Sequence, residues 1–345
     1  MKPYVATENL TLYCADVLEG LAALEPGSVQ TCITSPPYFA LRDYGVAGQL
    51  GLEALPSDYV FNLVKVFRAV RGALRDDGTV WLNLGDSYCR NPAKGQHKPG
   101  APGKQRYIYE RGGGRASATF DLKRSGLKEK DLIGAPWRAA LALQQPWLRC
   151  ESCGGEDHAS RWGTLHGQWR LCPACEQFAP WTITESGWYL RADVIWHKPN
   201  GLPNSVKDRP VTDHEYVFLL AKSPRYHFNH LAIREDASNG SKRSKRTVWS
   251  VNTAASKDAH FAVFPPQLIE PMVLAGSTPG SVVLDPFFGS GTTGLVAIQH
   301  GRKAIGIEIS PQFCKLACKR LGIPAPKRKE HTPRRLPRNA PIALG

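Results

Sequence analysis

Two periods of apolar residues run through the chain. Residues 29–33 read as a short strand that ends on Thr34-Ser35-Pro36-Pro37-Tyr38, where consecutive prolines must stop it because they donate no ladder hydrogen bond. In 58–74 the residues Phe61, Val64, Phe67, Val70 and Leu74 recur at helical spacing, with Ser57 as the expected cap. Asp77-Gly78 reads as a turn into a buried strand over 79–84. The pattern then predicts a helix over 135–143 with Pro136 in its first turn, followed by strands over 190–196 and 215–220. A helix over 265–275, a strand over 281–284, a helix over 292–300, a strand over 303–308 and a helix over 311–321 complete the ordered part. Strands alternating with helices predict a mainly parallel α/β sheet, and no internal repeat interrupts it.

Composition adds a partner to this picture. The chain has 345 residues, 42% hydrophobic and 21% charged, enough to bury a sizeable core, and a net charge of +14 that points to an anionic partner. The charge is uneven. Residues 90–130 carry a net +8 in a Gly-rich stretch, residues 319–345 carry +7, and the rest sums to −1. These segments read as a mobile basic insertion (90–135) and a basic tail (322–345), and Lys242-Arg243-Ser244-Lys245-Arg246 as a third basic loop. Three basic segments on a neutral body favour contact with nucleic-acid phosphates. No apolar run approaches the roughly 18 residues of a membrane span. Met1-Lys2-Pro3-Tyr4 lacks the apolar stretch of a secretory signal, and nine cysteines are an odd count for a disulfide scaffold. An intracellular protein is expected.

Residues 281–294 form a strand, a Gly-rich turn and a helix start. Gly289, Gly291 and Gly294 have dinucleotide-binding spacing, and Glu308 lies 19 residues beyond Gly289, where a strand-end carboxylate can accept from ribose hydroxyls. The pattern alone admits a nicotinamide cofactor, an adenosine cofactor or a tight turn. Asp285, just before the glycines, would repel a pyrophosphate but could hold an ammonium group, as S-adenosylmethionine requires. Only 51 residues follow Gly294, so earlier strands must complete the sheet and the order looks permuted. At the other end of the chain, the Ser35-Pro36-Pro37-Tyr38 corner follows a strand. Its prolines offer carbonyl acceptors without competing donors, which suits an exocyclic amine, and Tyr38 could stack on a base.

Taken together, the Ser-Pro-Pro-Tyr corner and Asp-Pro-Phe-Phe-Gly-Ser-Gly-Thr-Thr resemble the amino-group DNA methyltransferases in their permuted (beta) order. Trp196-His197-Lys198-Pro199-Asn200, His260 to Pro265 and Gly306-Ile307-Glu308 extend the resemblance, with Phe261 departing from a frequent Pro. It implies a Rossmann-like S-adenosylmethionine-dependent methyltransferase core over 1–89 and 188–321, with a candidate target-recognition loop at 225–255. It also implies residue roles. Asp285, Phe287, Gly289, Ser290 and Gly291 match the cofactor loop, Glu308 the ribose carboxylate, and Asp16 a contact to the adenosine end. Ser35, Pro36, Pro37 and Tyr38 match the catalytic corner, which would act on a base flipped out of double-stranded DNA.

Ser heading the corner goes in that family mostly with the cytosine 4-amino group, and Asp with the adenine 6-amino group. A cytosine-N4 enzyme is therefore expected, with adenine-N6 as the alternative. An inactive DNA-binding protein, a nicotinamide oxidoreductase and an RNA or protein amide methyltransferase are further alternatives. The implied setting is a bacterial or phage-encoded cytoplasmic enzyme at the nucleoid, with a possible cognate restriction enzyme.

Cys150-x2-Cys153 and Cys172-x2-Cys175, 18 residues apart, have the spacing of a four-thiolate zinc ribbon (148–178), with separate redox pairs as the competing reading. Four thiolates would fill the zinc shell, so the ion would be structural. Arg161, Trp162, His166, Trp169 and Arg170 between the pairs could touch DNA or form the ribbon's own core. Asp208-Arg209 and Asp213-His214-Glu215 precede a strand and are expected to be surface ion pairs, with catalytic-face residues as the alternative.

Overall fold

Among the described residues, nine strands share one sheet: β1 (Val5–Ala6), β2 (Leu10–Cys14), β3 (Val29–Thr34), β4 (Leu74–Leu84), β5 (Tyr189–His197), β6 (His214–Ala221), β7 (Val248–Ser250), β8 (Val282–Asp285) and β9 (Lys303–Glu308). The computed structural model describes residues 1–89, 121–163, 165–166, 169–201, 206–253 and 264–326. Across the sheet the order is β1-β2-β9-β8-β3-β4-β6-β5-β7. The strands from β2 to β4 run parallel to one another, and β6 is antiparallel to both β4 and β5. All six residues of β3 are buried, as a central parallel strand covered on both faces requires.

The covering helices divide between the faces. On one side α1 (Val17–Ala22), α2 (Pro56–Ala73) and α3 (Ala135–Leu143) pack through Leu21, Leu63, Phe67 and Ala139. On the other lie α4 (Pro266–Gly276), α5 (Thr292–Gln299) and α6 (Pro311–Arg320), packing through Leu268, Met272, Val296 and Ala317. The last two strands in the chain, β8 and β9, sit in the middle of the sheet, which is the permuted order expected from the short C-terminal remainder. From β8 the chain passes through α5 to β9 on one side; from β3 it passes through α2 to β4 on the other. The β8/β3 boundary is thus a topological switch point, and a crevice opens beyond the carboxyl ends of such a pair.

Several local expectations differ from the structure. The helix expected from 58 begins at Pro56 with Leu55 as its cap residue and no side-chain cap bond; Pro at N1 suits a helix start, so Ser57 lies inside. Asp77-Gly78 does not end a strand. Leu74 pairs with Val29 and Thr79 with Thr31, so the turn signal becomes an irregularity within β4. Strand β2 was not expected. The third basic segment is not a plain loop: Lys242–Arg243 pairs with Glu235–Asp236 in a two-stranded ribbon. There Glu235 takes both Arg243 (3.0 Å) and Arg246 (3.2 Å), while Asp236 takes Lys242 (2.6 Å). Four cations meet two carboxylates here, so half of the segment's positive charge is balanced within the hairpin. Of the expected basic insertion only 121–135 falls within the described residues, and of the tail only 322–326.

Candidate active site and thiolate cluster

The two strand ends at the switch point are tied together. Thr34, which closes β3 one residue before the corner, donates from Oγ1 to Asp285 Oδ1 at 2.7 Å, across 251 residues of sequence. Thr293 Oγ1 donates to Asp285 Oδ2 (2.7 Å) and the Phe287 amide to Oδ1 (3.1 Å). Asp285 is 1% exposed, and burial pushes its carboxyl up to about 6 against these three donors. It does not line the cavity above it. A buried carboxylate needs such partners, and three donors leave one of its roughly four lone-pair sites open.

Above that tie lies a cavity of ≈ 260 Å³. Of the expected residues, Asp16, Ser35, Pro36, Pro37, Tyr38, Phe287, Gly289, Ser290 and Glu308 line it together. Gly291, like Asp285, lies outside the lining; it caps α5 at φ 79°, a left-handed position suited to glycine. Gly294 has a packing reason: an added Cβ would sit 2.6 Å from the Phe288 ring. Asp16 caps α1 by accepting from the Leu18 amide (2.8 Å). Glu308 accepts from the amides of Gly289 (Oε2, 2.8 Å) and Ser310 (Oε1, 2.8 Å). Burial raises its carboxyl to about 7. Arg320, at the end of α6, braces the Gly-rich loop by donating to Ser290 Oγ (2.9 Å) and Thr292 Oγ1 (2.8 Å).

Among the described residues, the lining carries three carboxylates (Asp16, Glu215, Glu308) and two cations (Arg42, Lys198). That balance does not suit a pyrophosphate. It suits an adenosyl cofactor whose ribose hydroxyls would donate to Glu308 and whose ammonium and sulfonium together outweigh its one carboxylate. Phe264 of the expected His260 to Pro265 segment also lines the cavity; 254–263 lie outside the described residues.

Behind the corner stands a polar wall in which sequence reasoning left Asn83 unmarked and gave Glu215 a catalytic face only as the alternative. Tyr38 Oη donates to Glu215 Oε2 at 2.5 Å and lies 3.1 Å from Asn83 Oδ1, while Lys198 Nζ donates to Glu215 Oε1. Glu215 is therefore not a surface ion-pair residue, whereas Asp208 is, paired with Lys130 at 2.7 Å. The available signal was positional: Asn83 lies near the carboxyl end of β4, and Asp213-His214-Glu215 leads into β6.

The four cysteines converge. Their Sγ atoms all lie within 4.8 Å of one another, with Cys150–Cys175 at 3.9 Å and Cys153–Cys172 at 3.8 Å. Tetrahedral zinc with Zn–S of about 2.3 Å sets sulfurs about 3.8 Å apart. The amides of Gly155 and Ala174 point at Cys153 and Cys172 Sγ (both 3.4 Å), as thiolates would require. Around them, strands over Trp147–Cys150, Glu156–His158 and Trp181–Glu185 and a second small sheet enclose a separate core that includes Trp162, so the unit reaches a few residues beyond 148–178. Arg161 stacks over Phe61 of α2 (4.6 Å) and Arg170 over Trp181 (5.5 Å), while Trp169 is exposed.

A doubly covered, permuted α/β sheet with the Ser35-Pro36-Pro37-Tyr38 corner facing the Gly-rich loop across one cavity is the architecture of an S-adenosylmethionine-dependent group-transfer enzyme. Residues 29–319 match the family model described as DNA methylase, and the chain belongs to that family. It is 42% identical to the Type II methyltransferase M.Cfr9I of Citrobacter freundii over 90% of this chain and 87% of that protein. It is 41% identical to M.SmaI of Serratia marcescens over 89% of this chain and 88% of that protein. Among solved structures it shares a fold with the PvuII DNA methyltransferase (cytosine-N4-specific), at TM-score 0.58 and 21% identity over 92% and 88% of the two chains. A Thermus thermophilus chain complexed with S-adenosyl-L-methionine superposes at TM-score 0.50, with 21% identity over 90% and 92%. The protein is an S-adenosylmethionine-dependent DNA methyltransferase acting on an exocyclic amine of cytosine or adenine. No helix among the described residues is long and apolar enough to cross a membrane.

Proposed function

We propose that the enzyme transfers a methyl group to the 4-amino nitrogen of a cytosine flipped out of double-stranded DNA. The observation that carries this is the meeting of Ser35-Pro36-Pro37-Tyr38 and the Gly289/Glu308 cofactor loop in one cavity. Ser heads the corner, the residue that accompanies cytosine in the resembling family, and the fold relative PvuII methyltransferase bears a cytosine-N4 title. Ser35 Oγ and the Pro36 carbonyl accept hydrogen bonds from the two amine protons, which holds the nitrogen pyramidal and frees its lone pair. As the nitrogen–methyl bond forms, the methyl–sulfur bond breaks to leave a neutral thioether, and the methylated amine then gives one proton to water. Tyr38 presents its ring to the base. Asp16 and Glu308 take the adenosine end, and Asp285 acts from beneath by fixing the corner to the loop through Thr34. The bound cofactor supplies an already activated methyl on sulfonium, so the protein contributes alignment and fixed dipoles.

Cys150, Cys153, Cys172 and Cys175 hold one structural Zn2+. The setting we assign is the bacterial cytoplasm, at the nucleoid, with a cognate restriction enzyme as the reason for site-specific methylation. The deciding experiment is nucleoside mass spectrometry of DNA treated with the purified enzyme. N4-methylcytosine is expected; N6-methyladenine alone would transfer the same mechanism to the other base.

A further inference from the structure

The wall behind the corner has a fixed hydrogen-bond polarity. Asn83 Nδ2 donates to Glu215 Oε2 (3.2 Å) and to the Tyr216 carbonyl (3.1 Å), which leaves Asn83 Oδ1 facing Tyr38. Lys198 Nζ holds the other Glu215 oxygen and sits 4.4 Å from the Trp196 ring centroid. Tyr38 Oη thus faces two acceptors with no proton to give, the Glu215 carboxylate at 2.5 Å and Asn83 Oδ1 at 3.1 Å. Its own proton must point towards them. The phenol oxygen is then open only as an acceptor on its remaining side, where Ser35 Oγ donates at 3.3 Å.

A serine hydroxyl can donate or accept, and the reaction needs it to accept. We infer that Glu215, braced by Lys198 and Asn83, is a positioning residue that acts through Tyr38 to turn the Ser35 hydroxyl proton away from the substrate, so that Ser35 Oγ offers its lone pairs to the exocyclic amine. Nothing is transferred along the chain; Glu215 sets its direction. Burial and the adjacent carboxylate raise the Tyr38 phenol well above its ordinary range, which keeps its proton in place. Reversing the wall would turn Tyr38 into a donor towards Ser35 and Ser35 into a donor towards the amine, opposing the acceptor role. The same contacts hold the Tyr38 ring against Gly85, where an added Cβ would lie 2.6 Å from Tyr38 Cε2.

This inference rests on Ser35 as the amine acceptor. It is tested in the full-length enzyme with radiolabelled S-adenosylmethionine and unmodified bacterial genomic DNA. Glu215→Gln keeps the shape but lets an amide donate to Tyr38; Tyr38→Phe keeps the ring but removes the link. Each is expected to lower kcat by about ten- to a hundredfold, with KM for S-adenosylmethionine within about twofold of wild type. The double variant should be no slower than the slower single, because both remove one chain. Unchanged kcat in Glu215→Gln, losses that multiply in the double variant, or a parallel rise in cofactor KM would overturn the inference. Should Glu215→Gln fold poorly, Tyr38→Phe decides, and undiminished kcat there overturns it equally. A wild-type enzyme active on DNA while Ser35→Ala keeps full kcat would sink the underlying assignment of Ser35 instead.

Discussion

At Glu308 a single carboxyl shows how burial and function oppose each other. Burial raises it to about 7, against the Gly289 and Ser310 amides that favour its charge and with Asp285 adding repulsion. Its folded value lies above the ordinary carboxylate value of about 4.3, so the cofactor-free fold gains stability as pH falls from about 7 towards 4.3. Over the upper part of that window it loses the anionic acceptor for the ribose. Calorimetric titration should therefore show the Kd for S-adenosylmethionine rising by up to about tenfold from pH 8 to pH 6, with the dependence flattened in Glu308→Gln. Gly85 is a second single-residue test. Gly85→Ala should push the Tyr38 ring out of place and lower kcat by about tenfold or more while cofactor affinity holds. Unchanged single-turnover rates would show that the ring's position is not needed.

Among the elements, the cysteine-bearing unit stands apart because its core is separate and its docking is polar. Arg68 of α2 reaches Glu156 (2.6 Å) and Glu185 (2.8 Å) and stacks over Trp147 (4.0 Å). At the same junction His158 is buried, bonds the Gln145 carbonyl, and is depressed by burial to about 4. A core as small as that around Trp162 needs a staple. Chelation should release about one zinc per chain by elemental analysis and make the 147–185 segment protease-sensitive, while cofactor binding persists in the main sheet. A chain that holds no zinc and resists protease equally with and without chelator would remove the metal from this account. Sequence spacing alone revealed the thiolate set, since two Cys-x2-Cys turns already place their sulfurs in pairs. It did not reveal the dock, because Arg68 and Glu185 are 117 residues apart.

Over the whole molecule, the charge that suggested an anionic partner is divided by use. The hairpin arginines share Glu235, which leaves residues 235–246 a net +2, and Arg320 braces the cofactor loop. The active cavity itself has nearly balanced charge. Phosphate contact is expected chiefly from the basic residues of 90–130 and of the C-terminal segment, which lie mostly outside the described residues. Deleting 322–345 should weaken DNA binding and reduce the slope of log K against log salt, while cofactor affinity is retained. Loss of cofactor binding in that truncation would place the segment within the fold.

The sequence by itself determined the class of the sheet, the permuted order, the four thiolates and the two motifs that meet at the cavity. Each is written in local spacing: hydrophobic period, Gly-rich turn, Pro-Pro stop, Cys-x2-Cys. The tertiary structure alone decided what surrounds Asp285 and Glu215. Asp285 becomes a buried tie because Thr34 arrives from the neighbouring strand, and Glu215 leaves the surface because β6 runs beside β4 and brings it under Tyr38. A carboxylate's role depends on which donors surround it and how much water it keeps. Strand neighbours far apart in sequence set both.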